Sequence, residues 1–358
     1  MNEKIIVGMS GGVDSAVASA ILKEEGFEVE GLFMKNWEED SEFCHSEQDY
    51  KDALQVCDIL DIPLRAVNFS KQYWDRVFKY FLNEYEKGRT PNPDILCNTE
   101  IKFKEFYNYS IDLGAQRIAT GHYVQTKTCK NNILLLKGSD PNKDQSYFLH
   151  KLDQRQISNA LFPIGQLKKK DVRTFANKYH FANFSKKDSV GICFIGKRDL
   201  IEFLPNYIPK KTGYIIDEKG KKIGTHQGVM FYTIGQRKGL GIGGLNNGKD
   251  GGWYVADKDI INNELIAVQG RNHPALYHTK LIASNIHWIS GSEPTQIQLK
   301  AKIRYRGKEK ACNIKKLDNN MILVSFEEPR FAICPGQSVV FYQNNICLGG
   351  ALIECPQN

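Results

Sequence analysis

No apolar run in this 358-residue chain approaches the length of a membrane-spanning helix, which excludes a helical membrane span. None of its nine cysteines stands in a C-x-x-C pair, and nine is an odd number. Both facts argue against a disulfide framework and against a four-cysteine zinc site. A reducing cytoplasm is the expected setting, and individual thiols become candidates for chemistry. Internal repeats and low-complexity tracts are missing too. Met1-Asn2-Glu3-Lys4 leads straight into an apolar run, so no signal peptide is expected. Charge is only mildly biased: a net +7 is compatible with a polyanionic partner without requiring one. What remains is an ordinary globular composition, 41% hydrophobic and 25% charged, on a chain long enough for two or three domains.

The most informative stretch is Ser10-Gly11-Gly12-Val13-Asp14-Ser15. An apolar run, Ile5-Ile6-Val7, precedes it and reads as a buried strand, while Ala16 to Leu22 reads as a helix. Two glycines at a strand-to-helix turn let an anion approach the main chain, and the free amides of a helix start favour negative charge. Ser10 and Ser15 add hydroxyl donors. No Gly-Lys-Ser/Thr follows, so the turn is not a Walker A loop. It resembles the pyrophosphate loop of the ATP pyrophosphatase superfamily, which splits ATP to AMP and pyrophosphate while adenylating a substrate oxygen. The loop alone does not choose between amide synthetases, argininosuccinate-forming enzymes and RNA-modifying enzymes.

Further along, Val29 to Phe33 reads as a second buried strand, with Met34 placed to meet a nucleotide base beyond its end. Helical spacing marks Glu47 to Leu60 and, more strongly, Tyr73 to Tyr85, whose aromatics read as core. Gly88 to Asn98 contains Pro91 and Pro93, which predict a stiff, non-helical loop before a helix over Lys102 to Leu113. Asn92, Asp94 and Cys97 share that loop, and a carboxylate three residues before a thiol could shuttle a proton. Arg117 to Val124 reads as a strand with Gly121 and His122 near its end. Lys143 to Tyr147 is a solvated turn on composition alone, and Cys193 a buried strand cysteine. Beyond residue 205 short strands alternate with turn signals, which predicts an all-β region. Within it Gln298 to Arg306 alternates apolar and polar residues, presenting Lys300, Lys302, Arg304 and Arg306 on one face, as suits phosphate contact.

Several separate motifs, in order, are similar to those of the bacterial tRNA 2-thiouridylases. They are Ser10 to Ser15, Asn92-Pro93-Asp94-Ile95-Leu96-Cys97-Asn98, Ala119 to Tyr123, Lys143 to Leu149, Asp188 to Gly196, Gly224 to Gly228 and Tyr232 to Leu240. The resemblance covers essentially the whole chain. It implies ATP-dependent thiolation of the wobble uridine in the tRNAs for Lys, Glu and Gln, with magnesium and a persulfide sulfur donor, a cysteine desulfurase or sulfur-relay protein. Carried over by position, Gly8, Met9, Ser10, Gly11, Gly12, Val13, Asp14, Ser15, Met34 and Gly121 would bind ATP, and Asn92, Pro93 and Asp94 the target base. His122, Lys143, Asp144, Gln145, Tyr305, Arg306 and Gln337 would contact tRNA. Cys97 would be the nucleophile, Cys193 the persulfide carrier, and Asp94 an acid or base. No resident metal is implied; a cluster on Asp94, Cys97 and Cys193 would lack a fourth ligand. The implied fold is a Rossmann-like α/β pyrophosphatase domain over 1–204, a small, mainly β central domain over 205–275 and a β-barrel over 276–358. The rival readings are a small-molecule adenylating ligase, which needs no cysteine pair, and a non-catalytic tRNA-binding protein, which needs no intact phosphate loop.

Overall fold

The computed structural model describes residues 2–38, 46–188, 191–193, 200–242, 251–294 and 299–358. Strands β1 (Lys4–Met9), β2 (Glu28–Lys35), β3 (Leu64–Asn68) and β4 (Arg117–Ala119) lie parallel in one sheet. Strands β5 (Val124–Cys129) and β6 (Asn132–Lys137) form an antiparallel hairpin that leaves this sheet, and β7 (Ala160–Leu161) returns beside β4. The order is β3-β2-β1-β4-β7. Strand side chains alternate between faces, so β1 feeds two cores. Ile5, Val7 and Met9 meet the helices Val13–Glu24, Ser46–Leu60 and Lys169–Lys178 on one side. Ile6 meets the helical stretches 70–86 and 93–112 on the other. Strand order reverses at β1, so the crevice between the ends of β1 and β4 is where a doubly wound sheet takes its ligand.

The 93–112 helix corrects the sequence reading of a non-helical loop. Asn92 caps it, accepting the Asp94 N–H at 3.1 Å, and Pro93 occupies its first turn, where no amide partner is needed. From Cys97 to Glu105 the helix widens to i→i+5 turns, then tightens again over Phe106–Asp112. Gly121 and His122 fall in a break between β4 and β5 rather than inside one long strand.

A second sheet holds β8 (Gly213–Ile216), β9 (Lys222–His226), β10 (Trp253–Asp259) and β11 (Glu264–Gln269) in the order β10-β11-β8-β9. The remaining strands are β12 (Tyr277–Trp288), β13 (Leu299–Lys302), β14 (Lys310–Lys316), β15 (Met321–Phe331), β16 (Ser338–Gln343) and β17 (Ile346–Gln357). They close into a barrel because β12 pairs with both β15 and β17. Closure removes the free edges, yet β17 also pairs with β6, so the hairpin from the α/β unit is stitched onto the barrel. The segment 88–90 binds all three units together. Lys258 donates to the Gly88 carbonyl at 2.8 Å, Thr90 N donates to Pro335 O at 2.9 Å, and Gln337 donates to Thr90 O at 2.7 Å.

The expected basic strand is shorter than its pattern. Strand pairing stops at Lys302, and 303–306 turn away; Gln298 lies outside the described residues. Arg304 is drawn inward to the carbonyls of Phe331 and Ala332, and Lys302 binds Asp144, so the outward basic row reduces to Lys300 and Arg306. Alternation holds for Leu299 to Lys302, where Leu299 and Ala301 are buried and Lys300 is exposed; it carries no information on which cations find internal partners.

Candidate active site

The loop after β1 is pinned from below and open above. Gly11 has φ +70°, and a Cβ there would lie 2.4 Å from Asp49 O, so only glycine fits. Its carbonyl accepts from Asn183 at 3.1 Å and Lys186 at 3.2 Å, and Lys186 is itself held by Asp49 and Asp52. Ser15 Oγ accepts from Ser10 N and donates to Gly12 O, folding the hydroxyls under the loop. Gly12 supplies no side-chain cap to the helix Val13–Glu24, so its first amides keep their donors for an anion. Gly121 closes the crevice: a Cβ there would lie 2.7 Å from Asp14 C and 2.8 Å from Ser15 N. Met34 is buried with its methyl against Gly8. Asp14, the loop's only carboxylate, is held by Tyr123 Oη at 2.6 Å and by Lys169 Nζ at 2.8 Å to each oxygen. Lys169 also pairs with Asp188 at 2.5 Å, and Asp188 binds Lys143, so a chain of ion pairs leads away from the phosphate loop. Burial opposes ionisation of Asp188, but the two lysine hydrogen bonds prevail and hold its carboxyl below the usual range.

The second part of the site is made by two thiols from distant segments. Cys97 Sγ lies 3.6 Å from Cys193 Sγ, across 96 residues of sequence. The Cys97 thiol donates to the Cys193 sulfur. Asp94 Oδ1 accepts the Cys193 N–H at 3.0 Å, and Tyr73 Oη donates to the Cys193 carbonyl at 2.9 Å, so the backbone at Cys193 is fixed from both neighbouring helices. Burial, the hydrogen bond to Cys193 and its charge push Cys97 well above the ordinary thiol range. The Cys97 hydrogen bond lowers Cys193 in spite of burial, and the Lys102 ammonium lowers it further. Asp94 is raised by burial. The pair is therefore asymmetric, with Cys97 raised above an ordinary thiol and Cys193 lowered below it. Cys193 is half-buried and sits in a loop, not a strand; its motif neighbours Ser189, Val190 and Phe194 to Gly196 lie outside the described residues. Cys57 and Cys312, by contrast, are raised to about 12 by burial and only pack.

Of the residues assigned by resemblance to tRNA, four come together. Lys143, Asp144, Tyr305 and Arg306 line a cleft of about 420 Å³ with Pro141, Asn142 and Lys302. Arg306 is exposed there, whereas Asp144 is buried, binding Lys302 at 3.2 Å and the amides of Gly138 and Ser146. Gln145 accepts the Tyr123 N–H at 2.9 Å. His122 is buried, its Nδ1 2.8 Å from Thr120 Oγ1, and burial holds it well below the usual histidine range. Gln337 lies apart, at the 88–90 junction.

Family models cover most of the chain: a tRNA methyl transferase HUP domain over residues 3–197, a tRNA methyl transferase PRC-barrel domain over 201–269 and an aminomethyltransferase β-barrel domain over 278–353. The tRNA-specific 2-thiouridylase MnmA of Pseudomonas fluorescens is 54% identical over 99% of this chain and 96% of its own. The Nitrosomonas eutropha protein of the same name is 53% identical over 98% of each. The chain belongs to the tRNA-specific 2-thiouridylase family. The domain names speak of methyl transfer, whereas the full-length relatives are named for thiolation, which two thiols 3.6 Å apart suit. Among solved structures, a U34-tRNA thiolase from Methanococcus maripaludis matches faintly, at 18% identity and TM-score 0.36 over 58% of this chain and 67% of its own.

For this thiouridylase the sequence reading missed Lys169, Asp188, Lys186, Tyr73 and Lys102 as parts of the site. In the sequence Lys169 is one cation among Lys168, Lys169, Lys170 and Arg173, and Tyr73 belongs to a helix whose aromatics read as core. The one available signal was Lys187-Asp188 adjoining the Cys193 motif; the others acquire partners only in three dimensions.

Proposed function

We propose that this enzyme adenylates the C2 oxygen of the wobble uridine in tRNAs for Lys, Glu and Gln, then replaces that oxygen with sulfur carried on Cys193. The observation that carries the reading is the asymmetric thiol pair beside Asp94, in the same α/β unit as an open phosphate loop. A uridine C2 carbonyl is a poor electrophile. Attack of its oxygen on the ATP α-phosphorus breaks the bond to pyrophosphate and leaves an AMP group at C2. The uncapped amides after Gly12 are suited to the phosphates as charge shifts to the departing pyrophosphate. Magnesium would travel on the triphosphate, screening its charge: among the described residues no group of three His, Cys, Asp or Glu side chains is placed to hold a metal. Gly8 to Ser15, Met34 and Gly121 form the nucleotide crevice, and Asn92 to Asp94 the base site.

Sulfur enters when the Cys193 thiolate attacks the outer sulfur of a donor persulfide, such as one on a cysteine desulfurase or relay protein. A new S–S bond forms on Cys193, and the donor leaves as a thiolate. Cys97 then attacks the inner sulfur of Cys193, its proton passing to Asp94. The outer S–S bond breaks, hydrosulfide departs with the electron pair, and a Cys97–Cys193 disulfide remains. Hydrosulfide adds to C2, AMP leaves with the C–O pair, and loss of the sulfur proton gives 2-thiouridine. An external dithiol returns two electrons to the disulfide. Lys143, Arg306 and Tyr305 in their cleft, with Asp144 and Gln145 beside them, would seat the tRNA; His122 and Gln337 do not line that cleft. No helix among the described residues is long and apolar enough to cross a membrane, in keeping with work on tRNA in the cytoplasm. Incubation with ATP, magnesium, a persulfide donor, a dithiol and unmodified tRNA tests the reading. Nucleoside analysis should find 2-thiouridine in the Lys, Glu and Gln tRNAs, dependent on ATP; adenylation of a metabolite without tRNA would favour a small-molecule ligase.

A further inference from the structure

One charged side chain in the thiol site has no part in the steps above. Lys102 lies five residues after Cys97, a spacing that a regular helix of 3.6 residues per turn would place on well-separated faces, roughly 140° apart. The helix here is not regular. From Cys97 to Glu105 it runs in i→i+5 turns, which bring residues five apart back toward one face, and such segments concentrate at functional sites. Lys102 thereby comes to the side of the helix that carries Cys97, where its charge acts on both thiols. Its neighbours Glu100, Lys104 and Glu105 point outward: Lys104 pairs with Glu100 at 2.7 Å and Arg76 with Glu105 at 2.5 Å. Among the groups that interact with Lys102 are Cys193, Cys97, Asp94 and His122. His122 is held neutral by burial, so Lys102 is the only fixed cation among these groups, beside three acids. Cys97 keeps its proton, which it donates to Cys193, and burial raises Asp94. Of the three acids only Cys193 is lowered, and the Lys102 ammonium is one of the causes. Burial works against the charge of Lys102, but Cys193, Cys97 and Asp94 outweigh it and raise the amine to about 12, so it stays cationic.

We propose that Lys102 is a catalytic residue of the sulfur-transfer step, its ammonium holding the Cys193 sulfur as the thiolate that accepts the donor's sulfur atom. The widened helical segment is the local device that delivers it. The inference rests on the sulfur-transfer reading of the thiol pair, but it is tested on the protein alone. The rate of iodoacetamide alkylation at Cys193 is followed against pH by peptide mass mapping. In the unsubstituted enzyme Cys193 should react at least about tenfold faster than Cys97 at pH 7, which corresponds to about one pKa unit. Lys102→Met should move the Cys193 profile upward by about one unit or more and slow alkylation at pH 7 about tenfold. Lys102→Arg, which keeps the charge, should leave the profile within about threefold of the parent. Equal reactivity of the two cysteines in the parent overturns the proposal without any variant. So does an unmoved profile in Lys102→Met, or an equal shift in both variants, which would mean that Lys102 only packs. If tRNA were never thiolated while these profiles held, the functional reading would fall and the role of Lys102 in thiolate formation would stand.

Discussion

At the scale of single residues, the thiols of the described residues are separated into kinds by their surroundings. Cys57 and Cys312 are buried among apolar side chains and pushed up to about 12, where a thiol is inert at neutral pH. Cys97 and Cys193 are enclosed too, but each has the other as a hydrogen-bond partner, and a cation lies beside them. Cys97→Ser and Cys193→Ser should each stop thiolation while AMP transfer to tRNA continues, since activation of the carbonyl uses the phosphate loop and no thiol. The two should differ in what they trap: Cys97→Ser accepts a persulfide on Cys193, and Cys193→Ser accepts none. After one turnover without reductant, peptide mapping of the parent enzyme should show a Cys97–Cys193 disulfide. Full thiolation by Cys97→Ser, or a bond between any other pair, would refute the scheme. Cys57→Ala should leave turnover near normal, with a loss of stability on the order of 1–2 kcal/mol from packing.

At the scale of elements, one end of a helix decides where the chemistry lies. Asn92 caps it, Pro93 starts it, Asp94 meets the Cys193 backbone, and Cys97 opens its wide segment. Replacing Asn92 by Ala should cost about 1 kcal/mol through the lost cap. It should also reduce thiolation by more than the stability change accounts for, because the turn that aims Asp94 is loosened. A urea titration and a rate measured on the same preparation separate the two effects, and a rate unchanged at lowered stability would mean that the cap is structural only. The same element shows what a sequence can and cannot convey. Asn92, Asp94 and Cys97 stand out by residue type and spacing, but two prolines read as a barrier to helix when one of them only marks its start. The i→i+5 winding leaves no trace in the pattern of apolar residues, so Lys102 looks like any lysine of the run Ile101 to Lys104. The phosphate loop was legible because strand, glycines and helix are contiguous. The ion-pair chain from Asp14 through Lys169 and Asp188 to Lys143 was not, because its members come from four separate segments.

At the scale of the whole molecule, buried histidines, His122 and His150 among them, and one basic cleft set how the protein responds to its medium. Burial first, with the Lys151 charge, lowers His150 to about 3; burial and the Lys102 charge hold His122 well below its ordinary value. Both stay neutral when folded and bind protons more readily when unfolded. Their contribution to stability is therefore complete above about pH 6.5 and is lost as pH falls through the window below it. Each proton costs about 1.4 kcal/mol per pH unit there, so urea unfolding at pH 6 and pH 5 should show a drop of a few kcal/mol; equal stability at the two would contradict the burial. Binding of tRNA depends on salt instead. Arg306 and Lys143 stand in the cleft between the 140–144 turn and the barrel, and Lys300 is exposed on β13. Cations that track phosphates release counterions, so log affinity should fall linearly with log salt, with a slope of about −0.9 per duplex phosphate neutralised. Arg306→Ala should lower affinity for all substrate tRNAs alike and reduce that slope by about one, because phosphate contacts position the RNA without reading its bases. The ion pair between Lys302 and Asp144 predicts a larger effect at Lys302. Lys302→Ala leaves Asp144 buried without its cation, so it should unsettle the turn that carries Lys143 and weaken binding by more than one phosphate's share. Filter binding across a salt series measures both variants. An affinity that does not change with salt, or an Arg306→Ala slope equal to the parent's, would remove the cleft from the tRNA-binding surface.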